Sequence, residues 1–255
     1  MNLKNKVALV TGASAGIGKA IATKFAEHGC NLIITARRVN LIDELSKELT
    51  AKYGVRVITI ENDIRNFENV KIAFDSIPDE LKKIDILVNN AGLARGLSTI
   101  QDGDINDWEE MIDTNMKGLL YISRLVLPIM VAKSSGMVIN ISSIAGRAAY
   151  PKGNVYCATK SAVRTISEAM AIDLNGTGVR VCNIDPGMVE TEFSLVRFHG
   201  DSEKAENVYK QFTPLIGEDI ADIALFVATR PGHVMIQDIM VTPTDQATAM
   251  VVNRK

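Results

Sequence analysis

Between Lys6 and His28 the chain passes from a short apolar run rich in β-branched residues, KVALVT, through the glycine loop TGASAGIG at 11 to 18. It then enters a segment with Ile17, Ile21 and Phe25 at helical spacing. An apolar run of this length, bounded by glycines and followed at once by a 3.6-residue period, predicts a buried strand that hands the chain directly to a helix. Glycines at the joint permit a tight turn and let another molecule approach the backbone closely. The helix N-terminus beyond them offers free N–H groups and a positive dipole end, which suits a phosphate. A buried strand followed by a helix requires a second, parallel strand and a crossover back to it.

The rest of the chain meets that demand. Asn31 to Thr35 reads as a second strand, Leu41 to Tyr53 as a second helix and Val55 to Ile60 as a third strand. Asp85 to Val88 is a fourth, Trp108 to Val131 is helical with a break near Asn115, and Met137 to Ile141 is a fifth. A helix over VYCATKSAVRTISEAMAIDL leads to a sixth strand at Val179 to Ile184. Helices over Asp201 to Phe212 and Glu218 to Thr229 precede a last strand at Asp238 to Val241. The alternation predicts an α/β fold: a doubly wound, Rossmann-like parallel sheet with helices on both faces. With no repeat, linker or low-complexity tract, residues 1 to 255 read as one domain.

Composition narrows the function classes. A formal net charge of -2 carries no signal for nucleic acid or a membrane surface. The longest apolar stretch, Leu119 to Ala132, is interrupted by Arg124 and falls short of a membrane span, and the N-terminal apolar run is too short for a signal peptide. Cys30, Cys157 and Cys182 are odd in number and lack metal-ligand spacing, which predicts no disulfide framework, no metal site and a reducing, cytoplasmic setting.

The glycine loop has the spacing G-x-x-x-G-x-G rather than the common G-x-G-x-x-G, but its strand-loop-helix context predicts a dinucleotide site. An NAD-selective site calls for an acidic residue at the end of the second strand, whereas a 2'-phosphate calls for arginine. The sequence there is Thr35, Ala36, Arg37, Arg38, which favours NADP. Asp63 and Ile64, after the third strand, are placed for an adenine. Asn89, Asn90, Ala91 and Gly92, after the fourth, form a small-residue turn where a dinucleotide would cross.

Tyr156 and Lys160, one helical turn apart, share a face, and Ser143 ends the fifth strand. A Tyr and a Lys at this spacing are otherwise ordinary neighbours. A phenol titrates near pH ~10, and an adjacent ammonium lowers that value, so the pair can exchange a proton with a substrate hydroxyl or carbonyl. Ser143 can donate to the same oxygen.

TGASAGIG at 11 to 18, NNAG at 89 to 92, Asn115 in NMKG, Ser143 in NISS, YCATK at 156 to 160, and Pro186-Gly187 with Thr191 occur in order. Together they resemble the short-chain dehydrogenase/reductase family over nearly the whole chain. The resemblance implies Tyr156 as proton donor or acceptor, and Lys160 as the group that lowers its pKa and holds the nicotinamide ribose. It implies Ser143 as orienter of the substrate oxygen and Asn115 as anchor of a water relay. NADP would lie along Gly12, Ser14, Gly16, Ile17 and Gly18, then Arg37, Arg38, Asp63 and Ile64. It would continue past Asn90, Ala91 and Gly92 to Tyr156, Lys160, Pro186, Gly187, Val189 and Thr191. One departure is Ser14 and Ala15, where many NADP-using members carry a basic residue; the 2'-phosphate then depends on Arg37 and Arg38.

The stretch from Pro186 to Tyr209 and the closing IMVTPTDQA look like the NADP-dependent 3-hydroxy acid dehydrogenase branch, which oxidises serine, L-allo-threonine and similar acids. Arg147 and Arg197 are the candidates for the substrate carboxylate, and residues 188 to 212 are expected to form a lid. Ala158, Ala162, Ile166 and Ala169 fit a helix packed on the sheet and on a partner subunit, in line with the family's homotetramers. Two alternatives stay open at this stage: a carbonyl reductase for a different ketone, and a non-catalytic NADP-sensing protein.

Overall fold

The computed structural model describes residues 2–255. Seven strands form one parallel sheet: β1 (Val7–Thr11), β2 (Asn31–Ala36), β3 (Val57–Glu61), β4 (Ile86–Asn89), β5 (Gly136–Ile141), β6 (Val179–Pro186) and β7 (Asp238–Val241). Their order is β3-β2-β1-β4-β5-β6-β7. After β3 the chain returns to the far side of β1, so the winding reverses between β1 and β4. In such sheets that switch opens a crevice beyond the carboxyl ends of the strands.

Side chains alternate across each strand and build two apolar layers. Ala8 and Val10 of β1 face a layer containing α1 (Gly16–Glu27), α2 (Val39–Tyr53) and α9 (Gly217–Ala228), with Ile21, Phe25, Ile42, Leu49 and Ile220 buried there. Val7 and Leu9 face the other layer, formed with α3 (Phe67–Asp75), α5 (Gly118–Ala132) and α6 (Asn154–Asp173), which buries Leu119, Ile122, Val126, Val163 and Met170. Polar bonds tie the second layer together beneath the crevice. Asn89 Nδ2 donates to Asn140 Oδ1 at 2.8 Å and to Ser123 Oγ at 3.1 Å, and Asn140 Nδ2 donates to Ser167 Oγ at 2.8 Å.

Three segments differ from the sequence reading. Helix α3, which that reading left unassigned between the third and fourth strands, buries only Val70 and Ala73, so its periodic signal is faint. It starts because Asn66 Oδ1 accepts from the Asn69 N–H at 3.1 Å, an N-cap. The expected break near Asn115 is a π-helical turn, Asp113–Lys117, between α4 (Ile105–Ile112) and α5. Residues 105 to 132 therefore run as one helix of 28 residues, long and apolar enough by composition to span a membrane, and its Leu119, Ile122, Val126 and Met130 are buried in the second apolar layer. The helix expected over 201 to 212 is only α8 (Ser202–Asn207), preceded by the short α7 (Phe193–Arg197). Gln211 stands at φ 69, which ends any helical continuation.

Candidate active site

The glycine loop follows β1 and is held from below. Thr11 Oγ1 accepts from the N–H groups of Asn90 and Ala91, both at 3.0 Å, and Asn90 Nδ2 donates to the carbonyls of Thr11 and Gly12 at 2.9 and 3.2 Å. Gly12 stands at φ 67, and a Cβ there would lie 2.9 Å from Ala91 Cα. A Cβ on Gly18 would run into the Gly12 carbonyl and the Asn90 side chain. Gly18 thus lies under the loop as a packing glycine, while Gly12, Ser14, Gly16 and Ile17 face a cavity of about 540 Å³ at the switch point.

The cavity extends from Arg37, Arg38, Asp63 and Ile64 past Asn90, Ala91 and Gly92 to Ser143, Tyr156 and Lys160, with Pro186, Gly187, Val189 and Thr191 on the opposite wall. Arg38 donates to Ser14 Oγ at 3.3 and 3.1 Å and pairs with Glu192 at 2.8 Å, so it joins the glycine loop to the start of α7. The carboxylate of Asp63 is engaged by Arg65, whose Nε lies 2.9 Å from Oδ1, and that guanidinium holds its pKa below the usual carboxylate range. Thr191 packs against Gly16, which carries no Cβ at φ 53.

Helix α6 puts Tyr156 and Lys160 on the face toward β5. Both are buried, and Lys160 Nζ lies 6.0 Å from the Tyr156 ring centroid while donating to the Ile141 carbonyl at 2.9 Å. Burial lowers the Lys160 pKa to about 8, with Asp185 acting in the opposite direction. Burial also dominates at Tyr156 and pushes its phenol above the ordinary value; the Arg197 guanidinium and a hydrogen bond with Ser143 oppose it. The sequence reading assigned the lowering to Lys160. In the structure the nearest opposing cation is Arg197, 5.0 Å from the same ring.

Asn115 does not face the cavity. It sits in the π-helical turn, 2% exposed, and clamps the main chain of Leu93: its Oδ1 accepts from the Leu93 N–H at 2.8 Å and its Nδ2 donates to the Leu93 carbonyl at 2.9 Å. Its link to Lys160 is Gly92, where a Cβ would lie 3.3 Å from both Asn115 Oδ1 and Lys160 Nζ.

The two candidate arginines part company. Arg147 does not line the cavity: its Nε donates to Asp185 of β6 at 2.6 Å and its NH2 pairs with Asp238, the first residue of β7. Desolvation of a fully buried Asp185 demands a cation, and Arg147 supplies it. Arg197 lies inside the cavity, stacked 5.0 Å from the rings of both Tyr156 and Phe193 and donating to Tyr150 Oη at 2.7 Å. Its Nε is buried without a hydrogen-bond partner among the described residues.

Sequence reasoning missed Tyr150, Arg95, Glu192 and Gln246, which line the cavity, and Glu110, which pairs with Arg95 and Arg37 behind it. Tyr150 lies within the RAAYPKG run six residues before Tyr156 and was within reach of the same motif. The others come from distant parts of the chain; Gln246, for example, accepts from the Met188 N–H at 2.8 Å and seats the chain after β6.

The short chain dehydrogenase family matches residues 6–200. The chain belongs to the short-chain dehydrogenases. This short-chain dehydrogenase is 45% identical over 254 residues to the NADP-dependent 3-hydroxy acid dehydrogenase of Schizosaccharomyces pombe, covering 99% of this chain and 98% of that one. A solved closed form of serine dehydrogenase complexed with NADP+ superimposes with a TM-score of 0.90 at 44% identity, covering 98% of this chain and 100% of that one. Sulfoacetaldehyde reductase 2 of Chromohalobacter salexigens is 42% identical over 250 residues, covering 97% of this chain and 98% of that one. The chain is accordingly an NADP-dependent dehydrogenase acting on hydroxyl groups.

Proposed function

We propose that this dehydrogenase transfers hydride reversibly between NADP(H) and C3 of a small 3-hydroxy acid of the serine, L-allo-threonine or 3-hydroxyisobutyrate type. The observation that carries this reading is Arg197, a guanidinium with an unpaired buried Nε, 5.0 Å from the ring of the proton-transferring tyrosine. A carboxylate bound there leaves a hydroxyl one or two carbons away within reach of Tyr156. Tyr150 holds the guanidinium in place through its hydroxyl.

The residues fit the cofactor. Gly12 and Gly16 present backbone where a pyrophosphate needs close approach, the α1 N-terminus points at it, and Arg37 and Arg38 stand where a 2'-phosphate would lie. Asp63 and Ile64 would hold the adenine, and Lys160 the nicotinamide ribose. NADP+ supplies the hydride acceptor. In oxidation Tyr156 takes the hydroxyl proton as phenolate and Ser143 donates to the substrate oxygen. Lys160 passes the proton onward to solvent, and Asn115 acts by holding Leu93 and, across Gly92, the space beside Lys160. Residues 188 to 212 act as a lid whose closure excludes water. The three buried cysteines fit a reducing cytoplasm, and α5 and α6, with Leu120 and Ile172 exposed, fit pairing within a homotetramer.

A second reading rests on the same arginine, because a guanidinium accepts a sulfonate as readily as a carboxylate, and one relative is named for sulfoacetaldehyde. The test is the initial rate of NADPH formation with L-allo-threonine, serine and 3-hydroxyisobutyrate, repeated with NAD+, beside NADPH oxidation with sulfoacetaldehyde. Rapid turnover of a hydroxy acid supports the first reading. Turnover of sulfoacetaldehyde alone replaces it with the second, and turnover of neither discards the anion subsite.

A further inference from the structure

Three arginines from separate parts of the chain converge on one carboxylate. Glu110 of α4, 18% exposed, accepts from Arg95 Nε at 2.7 Å on Oε2, while its Oε1 receives Arg37 NH1 at 3.3 Å and Arg65 NH1 at 3.4 Å. Arg37 leaves the end of β2, Arg65 follows β3 and Arg95 follows β4; Arg37 and Arg95 line the cavity, and Glu110 joins them from outside its wall. Arg65 is already paired with Asp63. Arg37 has Glu110 as its anionic partner and is half exposed beside the cavity.

The other side of this hub reaches the lid. Arg95 NH1 donates to the Val196 carbonyl at 2.8 Å, and the next residue, Gly96, donates its N–H to the Arg197 carbonyl at 2.9 Å. One turn earlier on α4, Asp107 lies 3.1 Å from His199 Nε2. Residues three apart on a helix face the same way, so one face of α4 carries the carboxylates that meet both Arg37 and the 196–199 segment.

We infer that Glu110 is a positioning residue for both halves of the site: it holds Arg37 for the cofactor 2'-phosphate and, through Arg95, holds the Val196–Arg197 segment over the substrate. The alternative is a repulsive carboxylate beside a phosphate site, and it predicts the opposite sign. Without Glu110, the guanidiniums of Arg37, Arg65 and Arg95 repel one another and Arg37 swings into solvent. If Glu110 merely repelled phosphate, its removal would tighten NADP binding.

The experiment is a fluorescence titration of Glu110→Gln with NADPH and with NADH, neither of which depends on the substrate proposed above. The expected result is a roughly tenfold weaker NADPH affinity with NADH affinity changed by less than about twofold, partly restored in Glu110→Asp. In an Arg37→Ala background Glu110→Gln then has no further effect on NADPH. Equal or tighter NADPH binding by Glu110→Gln, or an undiminished effect in the Arg37→Ala background, overturns the inference. For the lid, amide hydrogen exchange at Gly96 and over residues 195 to 199 accelerates in both Glu110→Gln and Arg95→Gln, while Arg95→Gln leaves the NADPH-to-NADH ratio unchanged. Unaltered exchange there overturns the second half. A variant that fails to bind NADH is set aside as misfolded, and Glu110→Asp then decides both halves on the same measurements.

Discussion

Replacing Arg147 by methionine separates a structural ion pair from a substrate contact. Its partner Asp185 is 0% exposed, and after the change it retains only the Asn183 Nδ2 donor at 2.8 Å. Breaking a buried pair from one side costs about 3–5 kcal/mol. Because Arg147 is itself 30% exposed, water reaches the gap, and the lower end, about 3 kcal/mol, applies. For a chain of this size that corresponds to a fall in Tm of roughly 6–12 °C.

The sign of the pH dependence follows from Asp185. Burial already raises its pKa, and losing Arg147 raises it further. The native variant then binds more protons than the unfolded chain, whose aspartates titrate near pH ~4. Because the unfolded chain is the same for both proteins, the deficit relative to wild type is small below the already raised native pKa of wild-type Asp185, grows as pH rises from there to the higher native pKa of the variant, and then levels off. Adding Asp185→Asn to Arg147→Met restores part of the loss. Calorimetry at several pH values reads the deficit, and steady-state kinetics with the best hydroxy acid shows KM within about twofold of wild type. An unchanged Tm together with a KM raised tenfold or more would falsify the structural assignment and return Arg147 to the substrate.

Tyr156→Phe is expected to lower turnover by roughly 10²–10⁴-fold while NADPH fluorescence titration shows nearly unchanged binding. Arg197→Met removes the nearest cation lowering the Tyr156 phenol, so the alkaline rise of the oxidation rate moves to higher pH and KM for a hydroxy acid increases; a pH–rate series reads both. The Lys160 pKa lies near 8, below the value near ~10.4 of the unfolded chain, so its burial destabilises the cofactor-free protein below pH 8 and that cost fades as pH rises between the two values. Lys160→Met therefore raises the apo Tm at pH 7 by more than it does at pH 10. Gly12→Ala, at φ 67 with its Cβ against Ala91, is expected to abolish NADPH binding in a folded protein, seen as lost fluorescence transfer with unchanged circular dichroism.

The sequence by itself determined what depends on neighbours along the chain. Period decided the strands and the long helices, because a buried strand is a run of apolar residues and a helix repeats its apolar face every turn. The spacing of Tyr156 and Lys160 put them on one helical face, and Thr35 to Arg38 announced the choice of NADP at the end of a strand. Each of these is a local rule, and each is visible without a partner.

Only the tertiary structure decided the remainder, where the partner is far away in sequence. Arg147 and Arg197 are alike as residues. They differ because Asp185 of β6 and Asp238 of β7 engage the first, and Tyr150, Tyr156 and Phe193 surround the second. Asn115 faces Leu93 rather than the cavity because the π-helical turn sets its direction. The balance at Tyr156 goes to burial because residues distant in sequence enclose its ring, and no motif records how fully they do so. Glu110 carries no local signal. Its role exists only where the chain leaving β2, β3 and β4 converges across the end of β1, since a carboxylate and three guanidiniums attract at 3 Å and are indifferent across solvent.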